Sequence, residues 1–155
     1  MNKAECQNET RKHIFNTQKL LNKVIVELIS RAQNHDQTKL ESPEVEIFMQ
    51  HTSQLHGTTY GSKEYKDILE KMKPAVDHHY KSARHHPEHF GEHAGLSKMN
   101  LIDIIEMLCD WQAASLRHKN GSIADSIEKN QQRFGYSDEM KSVLVNTVEY
   151  LKMKG

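Results

Sequence analysis

The stretch HHYKSARHHPEHFGEH, which begins at His78, holds six of the eleven histidines of the chain in about a tenth of its length. A spacing of seven residues places His78 and His85 on one face of a helix that ends before Pro87, and His79 and His86 repeat that spacing. Pro87 lacks a backbone donor and should end the helix, so that its last imidazoles turn toward a shared point. The stretch therefore predicts a metal site, although a solvated helix rich in histidine would explain the same residues.

A second group of candidate ligands is the pair His35 and Asp36, which offers an imidazole and a carboxylate from adjacent residues. The pair falls where the apolar pattern of the preceding segment stops, and at a helix end both side chains can reach one metal. Such a pair is common by chance. Asp110 supports the prediction of a metal site, because a carboxylate between the apolar neighbours of LCDW needs a partner to offset its desolvation.

The elements that must position these side chains are helices. Residues 3 to 34 carry Ile14, Leu21 and Ile25 at helical spacing without an internal Gly or Pro, which predicts one long helix or two short ones. Further helices are predicted to start at Ser42, Ser62, Asn100, Ser122 and Ser137, each a good N-cap. No segment alternates as a strand would. We therefore expect an all-α fold, a single-domain helical bundle of six or seven helices over residues 1–155.

Composition excludes several classes of function. Lys plus Arg and Asp plus Glu both total 21, so the charge balance indicates neither a general nucleic-acid surface nor a membrane surface. Cys6 and Cys109 lie far apart and form no CxxC pair, which argues against a disulfide framework and suits a reducing cytoplasm. The polar N-terminus and the lack of an apolar run of about 20 residues predict a cytoplasmic protein without a membrane span.

The order of these motifs resembles the HD-domain superfamily of metal-dependent phosphohydrolases. HDQTK looks like the HD-x-x-K motif of that superfamily, and HHPEHFG is similar to the HHE region of its two-metal phosphodiesterase branch. DIIEMLCDWQAAS resembles the helix that supplies the final aspartate. The stretch from HD through CDW also resembles a family of small, largely uncharacterised phage and bacterial proteins. The matching motifs span residues 13 to 118.

The resemblance implies a set of metal ligands: His13, His35, Asp36, His85, His86 and Asp110. His13 matches the first histidine of the superfamily pattern. A continuous helix would separate His13 from His35 by about 33 Å, so His13 is a ligand only if the chain bends between them, for example near Asn22. His78, His79 and His89 are further candidates within the histidine-rich stretch.

The implied activity is that of a metal-dependent phosphohydrolase or phosphodiesterase, which attacks a nucleotide-like phosphate ester with a metal-activated water. One or two divalent ions of Mn, Fe, Co, Zn or Mg would serve as the cofactor. Lys39 would offset charge on the phosphate, and an imidazole of His79 or His86 would protonate the leaving oxygen. The alternative is a non-catalytic HD fold that retains its metal and binds a nucleotide as a regulatory module. The oligomeric state stays open at this point, although helical HD proteins often pair, which makes a homodimer one possible assembly.

Other charged residues fit more than one interpretation. Asp103 shares a helix face with Glu106 and Asp110, but it lies three residues after Asn100, where an acidic residue completes a helix cap. The whole acidic face could also be ordinary solvated helix surface. Three cations are further candidates for a phosphate contact, although helix-end cations serve stability equally well: Arg84, Arg117 and His118.

Overall fold

The computed structural model describes residues 2–56, 58, 62–91, 93–117 and 121–153. These residues form an all-helical protein, which confirms the predicted fold class. The α-helices of this part of the chain are α1 (Lys3–Asn34), α2 (Glu44–His56), α3 (Lys63–Ser82), α4 (Leu101–Ser115), α5 (Ile123–Phe134) and α6 (Asp138–Tyr150). Short 3₁₀ helices cover Gln37–Leu40 and Pro87–Phe90. Among the described helices, none combines the length and the apolar character that crossing a bilayer requires.

The chain divides into two compact units, Met1–Asn34 and His35–Gly155. In the first unit α1 runs without interruption through Asn22, which decides between one long helix and two short ones. His13 lies on this helix and is exposed. The predicted single domain over residues 1–155 stays a prediction.

The helices of the second unit begin and end where local side chains satisfy their backbone groups. The side chain of Asn100 accepts a hydrogen bond from the backbone N–H of Asp103, and the carboxylate of Asp103 accepts one from the N–H of Asn100. Ser122 and Ser137 each accept from the backbone N–H three residues on. Gly135 ends α5 with a φ of 66°, a left-handed conformation that glycine adopts without a steric cost. These helix starts confirm the caps expected from the sequence.

The hydrophobic core of the second unit forms where α4, α5 and α6 pack together. Its buried residues are Leu96, Ile104, Met107, Leu108, Ile127, Tyr136, Leu144 and Val148. Burying one large aliphatic side chain contributes about 1.5–3 kcal/mol to the free energy of unfolding. The apolar stripe of α4 packs in this core, and Glu106 and Asp110 lie on another face of the same helix.

Helix α3 packs against α2 and ends earlier than the sequence predicted. Pro74 lies inside α3 without ending it, and the helix stops at Ser82 rather than just before Pro87. Ala83 leaves the helical conformation, and the residue before Pro87 is extended, with a ψ of 125°. His85 and His86 therefore lie in a turn after α3, and the expectation of two histidine pairs stacked on one helical face was wrong.

Candidate metal centre

The turn that follows α1 presents the first candidate ligands. Asp36 has a φ of 57°, in the left-handed region that aspartate tolerates better than most residues other than glycine. This conformation ends the helical path, so that His35 and Asp36 aim at a common region. His35 Nε2 lies 3.7 Å from Asp36 Oδ2. The two candidate ligands therefore lie close together at the end of α1, and their binding of one metal stays a prediction.

One cluster consists of Asp36, His79, His85 and His86. The Nε2 atom of His79 lies 3.1 Å from Asp36 Oδ1 and 3.2 Å from the Nε2 atom of His86. His85 Nε2 lies 3.4 Å from the same Asp36 oxygen. Two ligands of a tetrahedral ion, each at about 2.1 Å, stand about 3.4 Å apart, so these separations are those of atoms that share a small cation.

A second cluster uses the other carboxylate oxygen of Asp36. It contains His35, Asp36 and Asp110, and His35 Nε2 lies 3.6 Å from Asp110 Oδ1. Asp36 belongs to both clusters, with Oδ1 directed to the histidines of the α3 end and Oδ2 to His35. A carboxylate in this position can bridge two ions.

Two atoms at the centre of the site are buried without a hydrogen-bond partner, Asp36 Oδ1 and His85 Nε2. Leaving such atoms unsatisfied costs about 1–3 kcal/mol each, and proteins seldom accept that cost without a reason. A divalent cation would satisfy both atoms at once. The donor set of imidazole nitrogens and carboxylate oxygens suits Zn, Mn, Fe or Co better than Ca.

The outward-facing nitrogens of these imidazoles are also engaged. Glu106 Oε1 lies 3.0 Å from Nδ1 of His35 and 3.1 Å from Nδ1 of His85. Thr38 Oγ1 lies 3.0 Å from Nδ1 of His79. Because a carboxylate only accepts, Glu106 draws the Nδ1–H groups of His35 and His85 toward itself and leaves their Nε2 atoms directed to the inside of the clusters.

Glu44 lies next to His78 and His79 and is fully buried. Its Oε1 lies 2.8 Å from Nδ1 of His78, and its Oε2 lies 3.2 Å from Nδ1 of His79. His78 is therefore turned away from the cluster, toward Glu44. Its side chain is half exposed, so it supports the site from outside rather than as a ligand.

Charges within the cluster shift the pKa values of its members. Burial alone would raise the pKa of Asp36, but the nearby rings of His79 and His85 and the ammonium of Lys39 outweigh it and hold that pKa well below its usual range. Burial opposes the charged form of His85, yet the carboxylates of Asp36 and Glu106 raise its pKa to about 9. Burial lowers the pKa of His86 to about 3, and the neighbouring His85 and His79 add to this effect. Asp36 is thus an anion and His86 a neutral imidazole, the forms in which each binds a metal, whereas His85 would have to release a proton to a bound ion.

A cavity of about 330 Å³ opens beside His79 and His86. Lys39 and Arg117 bring positive charge to its lining, and Phe48 and Tyr80 bring aromatic surface. The Lys39 ammonium lies 2.6 Å from Asp36 Oδ2, so it is held at the edge of the cluster. This combination of cations and apolar walls suits an anionic molecule with an apolar part.

The other cations considered as phosphate contacts have different positions. Arg84 is paired with the buried carboxylate of Asp103 and packs against the ring of Phe90. That pairing accounts for both residues: Asp103 serves the cap and the ion pair, as expected for a structural role. His118 lies outside the described residues.

The structure brings together five of the six predicted ligands: His35, Asp36, His85, His86 and Asp110. His13 is not part of a cluster among the described residues, and α1 does not break at the point that its assignment required. His79, expected as a proton donor and as a less certain ligand, has its Nε2 atom in the cluster with Asp36, His85 and His86. The sequence analysis missed the supporting roles of Thr38, Glu44 and Glu106, because only the fold reveals which polar groups lie behind each imidazole.

Fold and cluster together define a helical protein with a histidine and carboxylate centre. A protein-family model, described as a family of unknown function (DUF5662), matches residues 2–153, so the chain belongs to that family. Comparison with curated proteins and with solved structures gave no match. The family agrees with the predicted resemblance to small uncharacterised proteins, whereas membership of the HD superfamily stays a prediction.

Proposed function

We propose that this protein is a metal-dependent phosphohydrolase of the HD type that acts on a nucleotide-like phosphate ester. One observation carries the proposal: Asp36 Oδ1 and His85 Nε2 are buried without hydrogen-bond partners, in a cluster that adjoins a cavity with cationic walls. A site for a cation beside a site for an anion is the arrangement that phosphoryl chemistry needs.

The residues present fit two divalent ions. His79, His85 and His86 would hold one ion together with Asp36, while His35 and Asp110 would hold the other, with Asp36 shared between them. Divalent ions bound in this way supply Lewis acidity and lower the pKa of a coordinated water toward neutrality. The carboxylate of Glu106 behind the rings of His35 and His85 would help to hold their Nε2 atoms toward the ions.

The substrate side of the site would use the cavity. Lys39 and Arg117 would offset the negative charge that develops on the non-bridging oxygens of the phosphate. Phe48 and Tyr80 would contact the group that the phosphate carries. Lys39 is well placed for this role, because it lines the cavity and its ion pair with Asp36 holds the ammonium beside the cluster.

A screen for phosphate release tests the proposal. The protein, purified without a His-tag, would be reconstituted with Mn, Co, Fe, Zn or Mg and offered nucleoside mono-, di- and triphosphates and cyclic nucleotides. We expect turnover that Asp36→Ala abolishes and that Asp77→Ala, which removes an exposed carboxylate of α3, leaves unchanged. Turnover no faster in the wild-type protein than in Asp36→Ala on every substrate would refute the catalytic proposal.

A regulatory module is the second candidate, because the same cluster and cavity would bind a metal and a nucleotide without catalysis. Nucleotide binding that requires the metal, together with no release of phosphate, would support this alternative. The cytoplasmic location and the homodimer stay predictions from the sequence.

A further inference from the structure

Glu106 contacts ligands of both proposed ion positions. Its Oε1 atom lies 3.0 Å from Nδ1 of His35 and 3.1 Å from Nδ1 of His85. His35 belongs to the cluster with Asp110, and His85 belongs to the cluster with His79 and His86. The Glu106 side chain is 10% exposed, so its contacts are shielded from water.

The two imidazoles meet at this carboxylate from different segments of the chain. His35 comes from the turn after α1 and His85 from the turn after α3, while Glu106 stands on α4. Their rings are close, with centroids 4.5 Å apart. Both imidazoles lie in turns rather than in helices, and the acceptor that they share lies on a helix packed against the core.

We infer that Glu106 is a positioning residue, which aligns one ligand of each ion through a single carboxylate oxygen. The inference rests on the proposed metal site and adds that the two ion positions are linked through α4. Outer hydrogen-bond partners of this kind typically change metal affinity by about 10 to 100 fold when they are removed.

A rival role for Glu106 has to be separated from this one. Glu106 Oε1 and the Nδ1 atoms of His35 and His85 are themselves close enough to hold an ion. In that arrangement Glu106 would be a ligand, and metal affinity would depend more on its negative charge than on the length of its side chain. That group offers three ligand atoms, whereas Asp36, His79, His85 and His86 offer four, so the inward-facing arrangement supplies the fuller set of ligands.

Two variants separate the effect of the side-chain length of Glu106 from the effect of its charge. Glu106→Gln keeps the length and a carbonyl oxygen that accepts from the Nδ1 groups, but it removes the charge. Glu106→Asp keeps the charge but withdraws the carboxylate by one methylene, so that it cannot meet both rings. For a positioning residue, Glu106→Asp should lose about 10 to 100 fold in affinity and Glu106→Gln clearly less.

The measurement is Co(II) and Zn(II) affinity by competition with a chromophoric chelator, with the Co(II) absorption spectrum as a report on ligand geometry. Glu106→Asp should lower the metal affinity at both ion positions and alter the Co(II) absorption spectrum. Glu70→Gln and Glu70→Asp, at an exposed glutamate of α3, are the matched controls and should match the wild-type protein. Thermal unfolding of the metal-free proteins checks that each variant folds.

Each result has one meaning. A larger loss in Glu106→Gln than in Glu106→Asp would overturn the inference and make Glu106 a ligand. Unchanged metal affinity in both variants would overturn it in favour of a purely structural residue. A wild-type protein that binds no ion would instead refute the proposed metal site itself, so the two failures are distinguishable.

Discussion

Arg84 and Asp103 form a two-point ion pair, with Arg84 Nε 3.1 Å from Asp103 Oδ1 and Arg84 Nη2 2.9 Å from Asp103 Oδ2. Arg84 directly precedes His85 in the turn after α3, and Asp103 lies in the first turn of α4. The pair therefore ties the turn that carries His85 and His86 to the helix that carries Glu106 and Asp110. A planar guanidinium that meets a carboxylate at two points holds orientation as well as distance.

Arg84→Ala should destabilise the metal-free protein by about 3 kcal/mol, because it leaves the fully buried Asp103 carboxylate without its counterion. The free energy of unfolding from urea denaturation measures this effect. Arg117→Ala, which removes an exposed arginine of the cavity, should change stability by less than about 0.5 kcal/mol. Similar small losses in both variants would mean that solvent already screens the Arg84 charge.

Asp110→Ala should weaken metal binding strongly, since it removes an oxygen that faces His35 Nε2. Asp103→Ala should leave more of the metal affinity, because Asp103 acts on stability through the cap of α4 and the ion pair with Arg84. Metal titration of the two folded variants compares them directly. Equal losses of affinity would show that the face of α4 was assigned correctly but the ligand was not.

Asp36→Ala and Lys39→Ala should distinguish a residue that binds the metal from one that acts in turnover alone. Asp36→Ala removes an oxygen donor shared by both clusters and should abolish metal binding and turnover together. Lys39→Ala removes a cation that has no lone pair for a metal, so it should keep the metal and lose about a hundredfold in kcat/KM, on the order of 3 kcal/mol. Full activity in Lys39→Ala would move the phosphate contact to Arg117.

Metal removal should lower the stability of the second unit. A ligand that binds the folded state alone adds about 2.7 kcal/mol to the free energy of unfolding at a free concentration of 100 times Kd. Thermal scans with and without a chelator should therefore show a higher Tm for the metal-loaded protein. The difference should vanish in Asp36→Ala and persist in Asp77→Ala; an identical Tm with and without metal in the wild-type protein would contradict the proposed site.

Tyr136 gives a pH dependence that is independent of the metal. Its hydroxyl donates to the backbone carbonyl of Ile127 at 2.5 Å, and burial, with a smaller contribution from Glu128, raises the pKa of Tyr136 to about 12. A raised pKa means that the neutral phenol is the form the fold favours. Its stabilisation is complete below about pH 10, the pKa of tyrosine in the unfolded chain, and is lost as the pH rises through 12.

Comparison with Tyr136→Phe isolates this effect from other alkaline titrations. At pH 7 the wild-type protein should be more stable than the variant by about 1 kcal/mol, the net worth of one hydrogen bond. By pH 11 that advantage should fall by about 1.4 kcal/mol, the free energy of one pKa unit, because pH 11 lies one unit above the pKa of tyrosine in the unfolded chain. Urea denaturation at both pH values measures it, and a constant difference would show that the Tyr136 hydroxyl titrates normally.

The sequence by itself determined the helical fold and most helix starts. Asn100, Ser122 and Ser137 cap their helices in the way that side-chain chemistry predicts, because a cap depends on residues within one turn of each other. The same local logic placed His35 and Asp36 at a helix end. It also selected Asp110, since a carboxylate in an apolar helix requires a compensating partner.

Only the tertiary structure decided how the histidines meet. His85 and His86 reach Asp36 from a turn after α3, not from the helical face that their spacing suggested, because Ala83 already leaves the helix. The clusters join residues up to about 75 positions apart, and no periodicity records such contacts. Glu106 is the clearest example of what the sequence could not predict. In the sequence of α4 it looks like a solvated surface residue. Its position beside two imidazoles appears only when the fold brings His35 and His85 to the same carboxylate oxygen.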